Sequence, residues 1–210
     1  MNHQHPLPGA DDIARRELPN GIIALARENF TAQSVVITGS LPAGGLYDPP
    51  ELAGRAAFTG GALLFGTASR DFDTLHETLE SIGADLGIHG GVHTAGFGGK
   101  SLAEDLPTLL DILQDALRTP ILPADHVERL RGQIMTALGI RQHDTRYRAG
   151  RAFRELAYAP GHPYHHPSGG RLETIPAITR EMLLNFHRTH YGPRGLIIVV
   201  VGAVKAEAAL

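Results

Sequence analysis

The sequence predicts an α+β domain in which helices pack on one side of a mainly antiparallel β-sheet. Three observations lead to this prediction: aliphatic and β-branched runs lie near both ends of the chain, amphipathic helical patterns fill most of the middle, and a Gly-rich extended segment interrupts the helices. With 210 residues, of which 42% are hydrophobic, the chain is long enough to bury one substantial core. One domain is therefore sufficient to account for it.

The first half of the chain alternates between strand and helix signals. Two short aliphatic runs flank a polar turn at 28–31, a pattern typical of a hairpin. The Pro49-Pro50 pair suits the first turn of a helix, and Asp71 or Asp73 is placed to cap the next one. The predicted elements are strands at 21–26 and 33–41, helices at 50–64 and 72–82, and an irregular strand or hairpin at 86–101.

The second half is mostly helical and closes on a strand. A stripe of leucines stops at Thr119-Pro120, where a helix is expected to end because the residue before proline avoids helical geometry. Thr179 is placed to cap the last long helix. The predicted helices cover 104–118, 124–143, 146–158 and 180–190, and the predicted strand covers 195–202. The final KAEAAL resembles the start of another helix, so we expect the 210 residues to be part of a longer protein.

Composition argues against several classes of function. The formal net charge is -3 and no run of five or more clustered basic residues occurs, so neither nucleic acid nor a membrane surface is expected as a partner. The longest apolar run, 196–204, is too short to cross a bilayer, and the first twelve residues lack the features of a signal peptide. These features favour the cytoplasm, with the periplasm open for a chain whose leader was removed. Because no cysteine is present, histidine and carboxylate side chains are the remaining metal ligands.

Eight segments, in order and nearly end to end, resemble one protein family. They are LPNG (18–21), GSLPAGGLYDPPELAG (39–54), ALLFGT (62–67), TLHETLESIGADL (74–86), DLPTLLDILQDALRTPIL (105–122), HPYHHPSGG (162–170), IPAIT (175–179) and FHRTHYGPRGLIIVVVGAV (186–204). Together they resemble the insulinase/pitrilysin family of zinc metallopeptidases, particularly its short two-domain bacterial members related to mitochondrial processing peptidase. The resemblance implies a six-stranded, mainly antiparallel sheet with helices on one face. It also implies that residues 1–210 form a single amino-terminal domain of a longer, two-domain protein.

In active members of that family, the signature helix carries His-x-x-Glu-His, in which two histidines one turn apart hold zinc and the glutamate is the general base. With the following LLFGT as anchor, the two histidine positions fall on Ala57 and Gly61, and the base falls on Gly60. A glycine in mid-helix costs about 1 kcal/mol relative to alanine. We therefore expect Gly60 and Gly61 to be explained by the close approach of a neighbouring element.

The family's third zinc ligand is a glutamate on a later helix, and its position falls on Ala137 or Leu138. No carboxylate occurs between Glu128 and Asp144, so a small shift of the alignment does not restore the ligand. Both histidines, the base and the glutamate are thus replaced. The resemblance implies a non-catalytic family member with no cofactor of its own, and it places zinc only in an active partner subunit.

Twelve histidines raise the question of a replacement metal site. His89 and His93 share one face of an extended segment and form the alternative candidate for such a site. The stronger interpretation is that histidines in this Gly-rich segment face solvent or bond to the backbone. His165 and His166 lie where the resemblance already expects a His-Pro-Tyr loop, and His187 is expected to pack or to cap a helix.

A basic face extends over two predicted helices. Its members are Arg129, Arg131, Arg141, Arg146, Arg148, Arg151 and Arg154. The simplest interpretation is a solvated or subunit-facing surface, because acidic residues are interleaved with the arginines. The alternative is a surface that guides an acidic peptide, which requires a convergence of side chains that spacing alone does not reveal.

Three functions remain open at this point, in decreasing order of preference. The first is a non-catalytic subunit that forms a heterodimer with a zinc-bearing family member and closes a chamber around an extended peptide, as the resemblance implies. The second is a purely structural assembly subunit, similar to the core proteins of respiratory complexes. The third is an active zinc endopeptidase whose metal has moved to His89 and His93.

Overall fold

The computed structural model describes residues 9–210, which contain a six-stranded sheet and seven α-helices. The strands are β1 (Ala14–Glu17), β2 (Ile23–Glu28), β3 (Ser34–Leu41), β4 (Asp85–Gly90), β5 (Ala95–Leu102) and β6 (Ile197–Gly202). The helices are α1 (Arg55–Ala62), α2 (Phe72–Ser81), α3 (Leu106–Arg118), α4 (Ala124–Arg141), α5 (Thr145–Ala157), α6 (Arg180–His190) and α7 (Ala206–Ala209). None of the helices in this range is long and apolar enough to cross a membrane. The predicted α+β class is confirmed.

All pairings in the sheet are antiparallel except one. The strand order is β1-β2-β6-β3-β5-β4, and only β2 and β6 run parallel. The closing strand β6 lies in the centre of the sheet and is hydrogen-bonded on both sides, which suits its unbroken aliphatic sequence. The mainly antiparallel, six-stranded sheet is thus confirmed. The predicted hairpin between the first two aliphatic runs is wrong, because β6 inserts between β2 and β3.

Helices cover one face of the sheet, as the alternation of buried and exposed side chains along the strands shows. In β3, Val35 and Ile37 are fully buried, whereas Val36 and Thr38 between and after them are exposed. The core lies between this covered face and the helices. Its largest fully buried side chains include Phe58 of α1, Phe97 of β5 and Phe186 of α6.

Helix boundaries follow the sequence signals except at α1. Asp71 and Thr179 cap α2 and α6 through side-chain oxygens that accept backbone N–H groups at 2.8 and 3.3 Å. Near α1, the segment Pro50–Leu52 forms only a short 3-10 turn. The chain then passes through Gly54 with a φ of +100°, a conformation that favours glycine, and α1 begins after it. The predicted helix at 50–64 therefore starts too early.

The end of α4 and the whole of α5 project from the core. Helix α5 has no buried residue, and its main packing partner is the 3-10 turn Pro163–His165. Its apolar side chains Phe153 and Leu156 are 68% and 88% exposed, and Ile140 at the end of α4 is 68% exposed. A weakly packed helical pair therefore lies beside a tightly packed core.

Candidate functional site

Helix α1 is the element to which the sequence assigns the degenerate zinc motif, and a buried ionic contact fixes its first turn. The Asp48 side chain is only 3% exposed and accepts the Ala56 N–H at 3.0 Å and the Arg55 Nε–H at 3.2 Å. Burial raises the pKa of the Asp48 carboxyl, whereas the hydrogen bonds from Ala56 and Arg55 act in the opposite direction. The Arg55 guanidinium also lies over the Phe186 ring, 4.9 Å from its centroid. The start of α1 is thus held in one place relative to α6.

The motif positions on α1 and α4 present no metal-binding atom. Ala57 is half-buried, Gly60 is buried and Gly61 is exposed on α1, and Ala137 is exposed on α4. Leu138, the other position for the third ligand, is buried in the hydrophobic core. A methyl group, an isobutyl group or a hydrogen atom neither coordinates a cation nor accepts a proton. These residues do not fit a zinc ion, and no chemical step can be assigned to them.

The two glycines of α1 have different surroundings. A Cβ atom built on Gly60 would lie 2.6 Å from the backbone nitrogen of Gly90 in β4, and one built on Gly90 would lie 2.7 Å from the Cα atom of Ala57. Helix and strand therefore touch backbone to backbone, as expected for close packing. At Gly61 the nearest neighbour of a built Cβ is Leu130 Cδ2 at 3.5 Å, an ordinary contact. Close packing thus explains Gly60, and the same expectation for Gly61 is wrong.

The alternative metal pair is placed in two different surroundings. His89 is exposed on β4 with its ring beside Gly96 of the neighbouring strand, whereas His93 lies in the turn after β4 and is hydrogen-bonded to the Tyr164 hydroxyl. Within residues 9–210, no group of three or more histidine, aspartate or glutamate side chains is arranged to hold a metal ion. His187 packs and caps as expected, since its Nε2 lies 3.0 Å from the Leu117 carbonyl oxygen at the end of α3.

The seven arginines of the basic face separate into groups. Arg131 pairs with Glu128 at 2.9 Å and lies over the Phe58 ring, and Arg151 pairs with Glu155 at 2.8 Å. These two are structural. Two others, Arg141 at the end of α4 and Arg154 in the middle of α5, line one common pocket. The structure thus reveals a convergence that the spacing in the sequence does not show.

This pocket has a volume of about 580 Å³ and lies between the α4–α5 pair, the turn after β4 and the loop that leads to Gly170. Besides the two arginines, Leu138, Tyr147 and His166 contribute to its wall. Leu138 is one of the two positions to which the resemblance assigns the family's third zinc ligand. One candidate position of the degenerate motif thus belongs to the pocket wall, whereas none of the motif positions on α1 lines it.

The sheet order and the covered face define the class of fold, an α+β domain with a six-stranded, mainly antiparallel sheet. The family model for insulinase, peptidase family M16, matches residues 23–155, well over half of the chain. The chain belongs to this family. Its sequence identity to individual proteins is modest, but the similarity extends over nearly the whole chain.

Two relatives and one solved structure illustrate that similarity. The chain is 27% identical to the mitochondrial-processing peptidase subunit beta of Neurospora crassa, with 90% of this chain and 40% of the relative covered. It is 23% identical to an uncharacterized zinc protease of Mycobacterium leprae, with 91% and 43% covered. A crystal structure described as a peptidase M16 inactive domain from Pseudomonas fluorescens matches with a TM-score of 0.87 and 24% identity, covering 94% of this chain and 48% of that one. This structural likeness supports the fold, and the chain spans about two fifths of the curated relatives' length.

Proposed function

We propose that this chain is a non-catalytic domain of an insulinase-family peptidase that encloses an extended peptide together with a zinc-bearing family member. The observation that carries this proposal is the joint loss of the four motif groups at Ala57, Gly60, Gly61 and Ala137. The contact between Gly60 and Gly90 adds to it, because a glutamate at position 60 has no room for its Cβ atom. The position of the general base is therefore committed to packing.

An extended peptide can be bound by addition to a free sheet edge, where backbone hydrogen bonds supply affinity. Strand β4 is one of the two edge strands, and it lies against α1, the helix that bears the degenerate motif. A peptide added to β4 would pass the place where an active member holds its zinc. We propose β4 as the edge that holds the peptide while the partner supplies metal and base.

The proposed heterodimer is supported by a relative whose name describes it as one subunit, the mitochondrial-processing peptidase subunit beta. We further propose that residues 1–210 are the amino-terminal domain of a longer protein, because the chain covers only 40–43% of the two relatives above. The cytoplasm is the proposed compartment, and cell fractionation tests it.

Co-expression with a family member that carries an intact His-x-x-Glu-His tests the proposal. Four samples are compared on a fluorogenic extended peptide: this chain, the partner, the pair, and the pair with the partner's catalytic glutamate changed to glutamine. We expect cleavage only by the unaltered pair. If the partner alone cleaves at a rate that this chain leaves unchanged, the proposal fails.

A structural assembly subunit is the second candidate, and the exposed apolar side chains of the α4–α5 pair favour it. Ile140, Phe153 and Leu156 are each at least 68% exposed, which is typical of a surface that another protein covers. This candidate predicts a stable homodimer by light scattering that has no effect on any peptidase. Leu156→Glu would dissociate it, whereas Leu102→Glu, at an exposed site at the end of β5, would not.

A further inference from the structure

The pocket between α4, α5 and the 158–170 loop contains more cations than anions. Of the seven arginines on the basic face, Arg141 and Arg154 have no ion-pair partner among residues 9–210 and both line this pocket. No aspartate or glutamate lines it. The nearest carboxylate on α5, Glu155, is already bound to Arg151 at 2.8 Å. The pocket is therefore electropositive, with no charge of its own to neutralise it.

Donors without acceptors occur in the same wall. The Nη2 of Arg171 lies 2.6 Å from the Nδ1 of His166, and because a guanidinium only donates, this Nδ1 is an acceptor and the neutral ring carries its proton on Nε2. That Nε2 is buried without a hydrogen-bond partner, and so is the Nε of Arg154. Burial, and then the charges of Arg171 and His165, lower the pKa of His166, which agrees with a positive environment. Two donors of the wall, one from a histidine and one from an arginine, are thus buried without an acceptor.

The remaining wall is aromatic and adjoins the sheet edge. Tyr147, Phe153, Tyr158 and Tyr164 contribute rings. Val92, two residues after the end of β4, also lines the pocket. A peptide that extends along β4 and past Gly90 would bring its next side chains to this opening. The volume of about 580 Å³ holds side chains rather than a single small inorganic ion.

We propose that this pocket binds the carboxylate of an acidic side chain in an extended peptide, with Arg141 and Arg154 as the anchoring cations. This inference rests on the proposed function, since it names the chemistry of the peptide that the non-catalytic domain selects. Arginine suits the role because its planar guanidinium pairs with a carboxylate through two parallel hydrogen bonds. The aromatic rings pack against the aliphatic part of the same peptide.

Fluorescence anisotropy of the isolated chain tests this without any partner subunit. Three labelled extended peptides of equal length are compared, carrying glutamate, glutamine or lysine at the central positions. We expect the glutamate peptide to bind about tenfold more tightly than the glutamine peptide, and its affinity to fall with added salt. Equal affinity for the glutamate and glutamine peptides would overturn the proposal.

Variants locate the site. Arg141→Gln and Arg154→Gln are each expected to weaken binding of the glutamate peptide about tenfold. Arg148→Gln is the matched control, because Arg148 is exposed on the same helix α5, lies outside this pocket and carries the same charge. Since Arg141 is exposed at the end of α4, its removal leaves the core intact, and this variant keeps the test valid if Arg154→Gln unfolds. An equal loss in the Arg148 control would show a non-specific charge effect and overturn the site.

The last test is whether inorganic phosphate displaces the labelled glutamate peptide. If phosphate at sub-millimolar concentration displaces the glutamate peptide, the pocket is a site for free anions and the peptide assignment is wrong. If phosphate competes only as added salt does, the assignment stands. If these binding tests fail, the proposed function can still be correct, because the paired subunits could cleave neutral peptides. The cleavage assay therefore tests the proposed function separately from this pocket.

Discussion

Helices α1 and α5 lie at opposite extremes of packing, and the contrast separates the part of this domain that forms its core from the part that stays exposed. Five of the eight residues of α1 are buried and its backbone touches β4, whereas none of the thirteen residues of α5 is buried. Helix α1, to which the resemblance assigns the degenerate zinc motif, is a packing element of the core. The exposed helix α5 instead carries Arg154, whose buried Nε has no hydrogen-bond partner and which lines a pocket together with Arg141. Helix α1 thus belongs to the core, whereas Arg141 and Arg154 line a pocket beside the exposed helix α5.

The largest difference in stability between the two helices is expected when the carboxylate that contacts each of them is removed. Asp48→Ala removes the buried carboxylate that holds the start of α1 and leaves Arg55 uncompensated, so we expect a loss of about 3 kcal/mol in the free energy of unfolding. Glu155→Ala removes the carboxylate that pairs with Arg151 at 2.8 Å and lies 3.9 Å from Arg171, and it should cost at most about 1 kcal/mol because these pairs are partly exposed. Urea unfolding of both variants measures the difference. Equal losses would remove the contrast between the helices.

The next largest effect concerns the contact between α1 and β4. Gly60→Ala places a methyl group against the backbone of Gly90, and we expect it to cost about 2 kcal/mol in the free energy of unfolding, because a rigid strand cannot yield to it.

Gly61→Ala is the matched control for that variant on the adjacent residue. Its methyl group meets only ordinary contacts in a helix, so we expect up to about 1 kcal/mol of stabilisation from the better helix propensity of alanine. The two variants should therefore shift the urea midpoint in opposite directions. A shift of the same sign in both would contradict the assigned packing.

The pH dependence of stability should report on the packed region. Burial lowers the pKa of His187 against the opposing effect of its hydrogen bond to the Leu117 carbonyl oxygen, and burial also lowers the pKa of His190. Because the folded-state pKa lies below the unfolded value near 6.5, the stabilisation is complete above that value and is lost as the pH falls through the folded pKa. Unfolding at pH 7.5 and pH 5 measures this. His187→Gln should flatten the profile, and His143→Gln, at an exposed position beyond α4, should leave it unchanged.

The sequence predicts most of the fold because its periodic patterns and caps are local. The helices at 72–82 and 104–118, the caps Asp71 and Thr179, and the central apolar strand all follow from side-chain spacing. Strand β1 is missed because its four residues are mostly polar and lie at the edge of the sheet. The pairing of β2 with β6 is missed because it joins residues about 170 positions apart, and no local pattern encodes such a partner.

For the candidate site, the sequence predicts only which motif side chains are absent. The replacement of the motif at Ala57, Gly60 and Gly61 is visible in the sequence. The difference between Gly60 and Gly61 is not, because it depends on which side of α1 faces β4. The pocket also cannot be predicted from the sequence, because Arg141 and Arg154 line the same cavity only after the chain has turned between α4 and α5.

The proposed non-catalytic role requires that α1 and α4 cannot hold a metal ion, and zinc content after dialysis tests this most directly. The chain is incubated with one equivalent of zinc, dialysed against metal-free buffer and measured by plasma mass spectrometry, beside a His89→Ala/His93→Ala double variant. We predict zinc far below one ion per chain in both samples. One retained zinc per chain would contradict the non-catalytic role, and its loss in the double variant would assign the metal to His89 and His93.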